Sequence, residues 1–208
     1  MAHVHRSTAR FDRARLLYQE AGRVSEHLND RLGQADCLCG MGELERAQGN
    51  ADQSMPLYDR AFTLYQQIGN LLGQGEVLCG QAHIKLDHRE FKEAADRFSD
   101  ALAIFEQIRD RRGQADALYG LSRVFAATRR RDSARDALAR ALCIYKAIQD
   151  VRGQAEVLLH LAELQDTTEQ TNRHYYQASY LYDYLGLTDA ATAALEKAEA
   201  AAGAVGMA

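Results

Sequence analysis

One phrase recurs four times in this chain, always forty residues apart. RLGQADCLCG begins at Arg31, LLGQGEVLCG at Leu71, RRGQADALYG at Arg111 and VRGQAEVLLH at Val151. Each copy holds a Gly-Gln pair, and an acid follows two residues after the Gln: Asp36, Glu76, Asp116 and Glu156. A fixed period of this length is the signature of a stacked repeat array. One such repeat cannot bury its apolar face alone, so its neighbours complete the core. The expectation is therefore one continuous domain over residues 1–208.

Each copy reads as two amphipathic helices, a first helix A and a second helix B. In the third copy Leu118, Leu121 and Phe125 fall three and four residues apart and share one face of helix A. Helix B then places Ala134, Leu138, Ala141, Ile144, Tyr145 and Ile148 on its buried side. The same ladder reads Ala94, Phe98, Ala101, Ile104, Phe105 and Ile108 in the second copy, and Ser54, Tyr58, Ala61, Leu64, Tyr65 and Ile68 in the first. Asp30, Asn70, Asp110 and Asp150 precede helix A, where a side-chain oxygen can cap an orphan N–H. The Gly three residues on costs ~1 kcal/mol against Ala in a helix, so its recurrence implies close packing. Pro56 is expected within the first turn of its helix, where its missing N–H costs nothing.

The ends read differently. Residues 9–30 match helix B alone, with Phe11, Ala14, Tyr18, Ala21, Val24 and Leu28 in the core slots. Repeats follow over 31–70, 71–110, 111–150 and 151–187. The last helix B, carrying Tyr175, Ala178, Leu181, Tyr182 and Leu185, comes three residues early. Residues 188–203 read as a capping helix with Thr188 as N-cap, and the tail after it is expected to fray.

Composition narrows the function. A net charge of −4 and pI ≈ 6.0 give no electrostatic footprint for nucleic acid. No run approaches the ~18 apolar residues of a membrane span, and no signal-peptide core is visible, so a cytoplasmic location is expected. A single Pro favours helix throughout. Cys37, Cys39, Cys79 and Cys143 lack disulfide or metal spacing. No metal-binding His pair, phosphate loop or nucleophile elbow occurs, so neither catalysis nor a cofactor or metal is expected.

These helix pairs resemble the tetratricopeptide repeat (TPR) in its forty-residue variety, as in arrays of signalling ATPases, Pins-type adaptors and kinesin light chains. Ala94, Phe98 and Ala101 match the helix B pattern; Leu118, Leu121, Ser122 and Phe125 match helix A, with Ser for Gly and Leu for Trp. Leu38, Met41 and Gly42 match in the first copy. Gln81 departs from the pattern's Leu, and Glu45, Lys85 and Gln165 from its aromatic. The resemblance spans about residues 9–187. It implies an all-α right-handed solenoid that holds a protein or peptide in a concave groove lined by helix A. The Asn that clamps ligand backbone in several relatives is replaced by Gly40, Gly80, Gly120 and His160, so that clamp is not carried over.

Residues repeated in every copy serve what every copy needs, so the Gln and acidic ladders read first as structural. The acids suit a helix N-terminus, with an acidic wall for a basic peptide as the alternative. Specific recognition belongs at groove slots that vary: Glu43, Cys79, His83, Leu86, Tyr119, Arg123, Leu159 and Glu163. Tyr119 and Arg123, one turn apart, form the candidate hot spot. Tyr176, Tyr180 and Tyr184 lie on one stripe, read as packing on the capping helix or as a second binding surface. Function is expected to be that of a protein- or peptide-binding scaffold. A regulatory module of a larger signalling ATPase or transcriptional regulator is the alternative. Leu16 and Leu17, with Phe11, predict a homodimer through the first helix, unless residues 1–10 fold back as a lid or a parent chain supplies a helix there.

Overall fold

The computed structural model describes residues 2–203, with side chains over 10–202. The described residues form ten helices and no strand: α1 (Ala2–His27), α2 (Arg31–Ala47), α3 (Ala51–Ile68), α4 (Leu71–Asp87), α5 (Phe91–Gln107), α6 (Arg111–Ala127), α7 (Arg131–Ala147), α8 (Val151–Glu163), α9 (Thr168–Tyr184) and α10 (Thr188–Gly203). This is an all-α array of helix pairs. Two compact units divide the chain, the first to Asp110 with α1–α5 and the second from Arg111 with α6–α10. Even-numbered helices α2, α4, α6 and α8 are the A helices; α3, α5, α7 and α9 are the B helices.

The recurring phrase builds the turn between helix B and the next helix A. In the first unit Gly69 takes φ 70°, which lets the Asn70 N–H donate back to the Tyr65 carbonyl at 2.9 Å. Gln74 Nε2 donates to the same carbonyl at 3.4 Å, and Asn70 Oδ1 accepts the Gly73 N–H at 2.9 Å. One phrase thus closes the end of one helix and the start of the next. Asp150, Gly153 and Gln154 repeat the arrangement on Tyr145 in the second unit, and Asp30, Gly33 and Gln34 repeat it on Ser25. A Cβ on Gly73 would lie 2.5 Å from the Tyr65 ring, and one on Gly153 2.5 Å from the Tyr145 ring. Glycine is required there by the aromatic of the preceding helix B. At five other turns a bulkier residue takes the left-handed conformation: Asn29, Arg89, Arg109, Arg129 and Gln149, with φ between 53° and 61°.

The core follows the helix B ladder. Ser54, Tyr58, Ala61, Ala94, Phe98, Ala101, Ala134 and Ala141 are wholly buried, and Leu138, Tyr65, Phe105 and Tyr145 nearly so. The fourth and sixth rungs are less covered than the ladder predicts, and Ile68 is exposed because it stands at the end of its helix. In three of the four copies the residue at the family's aromatic slot, whether or not it is aromatic, has a partner five residues on. Glu45 accepts from Asn50 at 2.8 Å, Lys85 donates to Glu90 at 2.6 Å, and the Phe125 ring carries the Arg130 guanidinium at 4.6 Å.

Four expectations are corrected. Pro56 lies in the second turn of α3, beyond the positions where its missing N–H is free of cost. It is exposed, so solvent can reach the carbonyl it leaves without a donor. Thr188 is the first residue of α10, and the Ala191 N–H bonds to the Leu187 carbonyl, which puts the cap at Leu187. Residues 2–10 extend α1 and do not fold back as a lid. On α1 itself Phe11 and Ala14 are half-buried, but Tyr18, Ala21, Val24 and Leu28 are exposed, because among the described residues α2 is the one helix A that packs on it, where α3 lies between two. The expected fraying of the tail concerns residues 204–208, outside those described.

Candidate functional site

The acidic ladder is bonded in a way the sequence reading missed. The Tyr65 hydroxyl donates to Asp36 at 2.7 Å, and the Tyr145 hydroxyl donates to Asp116. Burial and these carboxylates hold both phenols far above their ordinary pKa. Position 105 is Phe, with no hydroxyl to give, and there the acid is Glu76. Glu76 is raised above its usual range by desolvation, then by Asp36, Asp110 and Glu43. The signal was present in the sequence: Asp where Tyr follows 29 residues later, Glu where Phe does. The Gln ladder is consumed by the turns described above.

In the first unit the predicted groove residues fall into two groups. Glu43 accepts from the Tyr58 hydroxyl at 2.5 Å and from Arg46 at 2.7 Å. Beside it the Cys39 thiol is pushed up to about 12, by burial first and then by Glu43, Glu76 and Asp36, so it is a poor nucleophile. Cys79 is half-buried. His83 sets its ring against Phe98 at 5.0 Å, edge to face. Leu86 is buried, so it contributes to the core more than to an open surface.

In the second unit the four predicted residues lie on α6 and α8. Tyr119 on α6 meets His160 on α8 at 5.3 Å between ring centroids. Tyr119 is half-buried, and burial, reinforced by Glu156 and opposed by Arg123, pushes its phenol up to about 12. Glu163 accepts from Lys197 of α10 at 3.0 Å and lies 3.5 Å from His160 Nδ1. Leu159 packs between the clusters around Tyr182 and Tyr175. His160 occupies the slot of the three glycines. Tyr18 covers Gly40 and Tyr58 covers Gly80, whereas the smaller Leu138 precedes His160 by the same interval. That slot therefore faces the preceding helix B, which is why glycine and not a ligand clamp stands there.

The tyrosine stripe corrects another expectation. Tyr176, Tyr180 and Tyr184 are 49%, 71% and 73% exposed, so they do not pack on α10. Ala191, Ala194 and Ala198 of α10 are buried instead, with Tyr175, Ala178 and Tyr182 as the aromatic and small partners on α9. The four cysteines are free thiols, with Cys143 exposed. Among the described residues no group of three or more His, Cys, Asp or Glu is placed to hold a metal, and no helix is long and apolar enough to cross a membrane.

Comparison with known proteins follows the same lines. Tetratricopeptide-repeat profiles match residues 34–107 and 173–203. No curated protein sequence matches the chain. Among solved structures, BtubC (BKLC) from P. vanneervenii aligns at a TM-score of 0.69 with 16% identity, over 92% of this chain and 87% of that one. Aspartyl phosphate phosphatase F from Bacillus subtilis aligns at 0.76 with 14% identity, over 87% of this chain and 50% of its own. The apo form of RapI aligns at 0.71 with 14% identity, over 81% and 63%. The chain thus spans about half of the phosphatase and less than two thirds of RapI. At these identities the likeness is one of fold. Helix pairs, their forty-residue period and the matching profiles agree: the chain belongs to the tetratricopeptide repeat family.

Proposed function

We propose that this chain is a protein- or peptide-binding scaffold, a single array that holds its ligand against the A helices and performs no catalysis. The observation that carries this is the Tyr119–His160 pair, flanked by Arg123 and Glu163. Residues common to all repeats are spent on turns and caps, whereas this surface varies from repeat to repeat and combines a half-exposed aromatic with charges of both signs. Such composition suits the anchor of a protein interface. Proteins captured by the immobilised chain from its native lysate are identified by mass spectrometry, and the leading partner is purified for calorimetry. Tyr119→Ala is expected to weaken that partner by ~2 kcal/mol or more while leaving the thermal melt in place. Unchanged affinity for Tyr119→Ala, with loss on Tyr180→Ala, moves the site to the exposed stripe on α9.

A second reading concerns self-association. Ala21 is exposed, whereas the equivalent Ala61, Ala101, Ala141 and Ala178 are wholly buried. The face of α1 that would receive a helix A is open, and Leu17, Val24 and Leu28 extend it at 58%, 58% and 72% exposure. Leu16 adds to the patch, and Phe11 stands half-buried at its upper end. A twofold dimer through α1 is the occupant this face supports best.

A further inference from the structure

A groove of the first unit is lined by residues of α1, α2 and α3. It has a volume of about 770 Å³ and runs between α1 and α3 over α2. That volume is within the range of sites that enclose small ligands or several side chains. Its origin is a pair of sequence changes. Gly22 stands where the following B helices carry Phe62, Leu102 and Leu142. Met41 stands in the floor where the next repeat has Gln81. In that next slot, between α3 and α5, Gln81 closes the gap as a bridge: its amide donates to Asp59 at 2.7 Å and its carbonyl oxygen accepts from Arg97 at 2.6 Å. The first slot has Gln19, Met41 and Leu57 at the three corresponding positions and cannot form that bridge.

Packing does not require Gly22. A Cβ there would meet only Cys37 Cβ, at 3.8 Å, an ordinary contact. Gly73 and Gly75 of the same unit differ, since a Cβ on either would run into an aromatic ring at 2.5 and 2.7 Å. A glycine inside a 26-residue helix costs ~1 kcal/mol against alanine. Its effect here is to keep the groove open.

The lining is amphipathic. Cys37, Leu38 and Met41 make an apolar floor and Leu64 an apolar wall. Arg23, Arg31 and Arg60 stand around it, and among the described residues none of the three makes a hydrogen bond or ion pair. Of the two acids that also line the groove, Asp59 is held by Gln81 and Glu26 is exposed. Three guanidiniums without partners around an apolar slot favour carboxylates flanking a bulky apolar group. We propose that this groove binds an acidic peptide segment of a partner protein, with one large apolar side chain in the space left by Gly22 and its carboxylates on Arg23, Arg31 and Arg60.

A library of random twelve-residue peptides displayed on phage is selected on the full chain, and the leading peptide is measured by fluorescence anisotropy. The expected sequences combine Asp or Glu with Phe, Leu or Trp. Gly22→Phe, which restores the residue of the next repeat, is expected to weaken the peptide at least tenfold while the melting temperature holds or rises. Gly22→Ala is expected to raise the melting temperature and retain binding, which separates a blocked groove from a damaged fold. Arg23→Glu with Arg60→Glu is expected to weaken binding at least tenfold, and added salt to weaken it in the parent chain. No enriched peptide, enriched basic peptides, or equal binding by Gly22→Phe would each overturn the proposal. Loss on Tyr119→Ala with no effect of Gly22→Phe would overturn it too, while leaving the A-helix reading intact.

Discussion

His160 shows how one substitution changes what a slot does. Glycine fills the equivalent place in three copies; here an imidazole meets the Tyr119 ring edge-on and approaches Glu163. Burial holds its pKa below the ordinary value, opposed by Glu163 and Glu156 and assisted by Arg123 and Lys197. The fold therefore favours the neutral ring, and the unfolded chain binds more protons. The stability this group contributes is complete above its ordinary pKa of ~6.5 and is lost as pH falls through the lower folded value. His174 shifts in the same direction, through burial and then Arg173 and Lys146. Thermal melts are expected to drop between pH 7.5 and pH 5, and His160→Gln to make that drop shallower. An identical slope in the variant would place the acid sensitivity elsewhere, with His174 as the next residue to test.

Among elements, helix B is the most constrained. Ala101 is wholly buried between Phe98 and Phe105 on α5. Ala101→Leu would overpack that crossing and is expected to cost ~1–3 kcal/mol in chemical denaturation. Retained stability would mean that the small rungs of the ladder do not mark the tight crossings. The helices themselves were legible because each boundary is written in the chain. Asp or Asn caps, Gly three residues on, and a Gln reaching back together leave little freedom in where α2, α4 and α8 begin. What stayed illegible depends on neighbours that no single helix pattern reveals. The tyrosine stripe shares a face with nothing on α10, because the alanines of α10 select Tyr175 and Tyr182. The groove under Gly22 exists because of what α2 and α3 leave unfilled, and a pattern read along α1 gives only a weak helix position. Pro56 broke the rule applied to it, since its exposure and not its distance from the helix start makes it tolerable.

For the whole molecule, α1 sets the question of assembly. Arg15 fastens it to α2 through an ion pair with Glu45 at 2.9 Å, yet Leu16, Leu17, Val24 and Leu28 remain exposed on its other side. Covering ~400 Å² of such surface is worth roughly 10 kcal/mol at ~25 cal/mol per Å², against association costs of ~4–15 kcal/mol. Light scattering across a concentration series is expected to show a dimer that Leu17→Glu with Leu28→Glu converts to monomer. A strict monomer at every concentration would reject the pairing. The turns carry a consequence of a different kind. Gly49 and Gly69 bracket α3 and adopt left-handed backbone without steric cost. Arg129 and Gln149 bracket α7 in the same conformation, where a side chain costs roughly 1–2 kcal/mol at each. Stability in a repeat array is close to a sum of local contributions. Arg89 and Arg109 bracket α5 in the same way, so helix B of the second and third repeats sits between two strained turns, where that of the first sits between two relaxed ones. Transient opening, and with it access for a protease or a chaperone, should start at α5 or α7 and leave α3 among the last helices to let go.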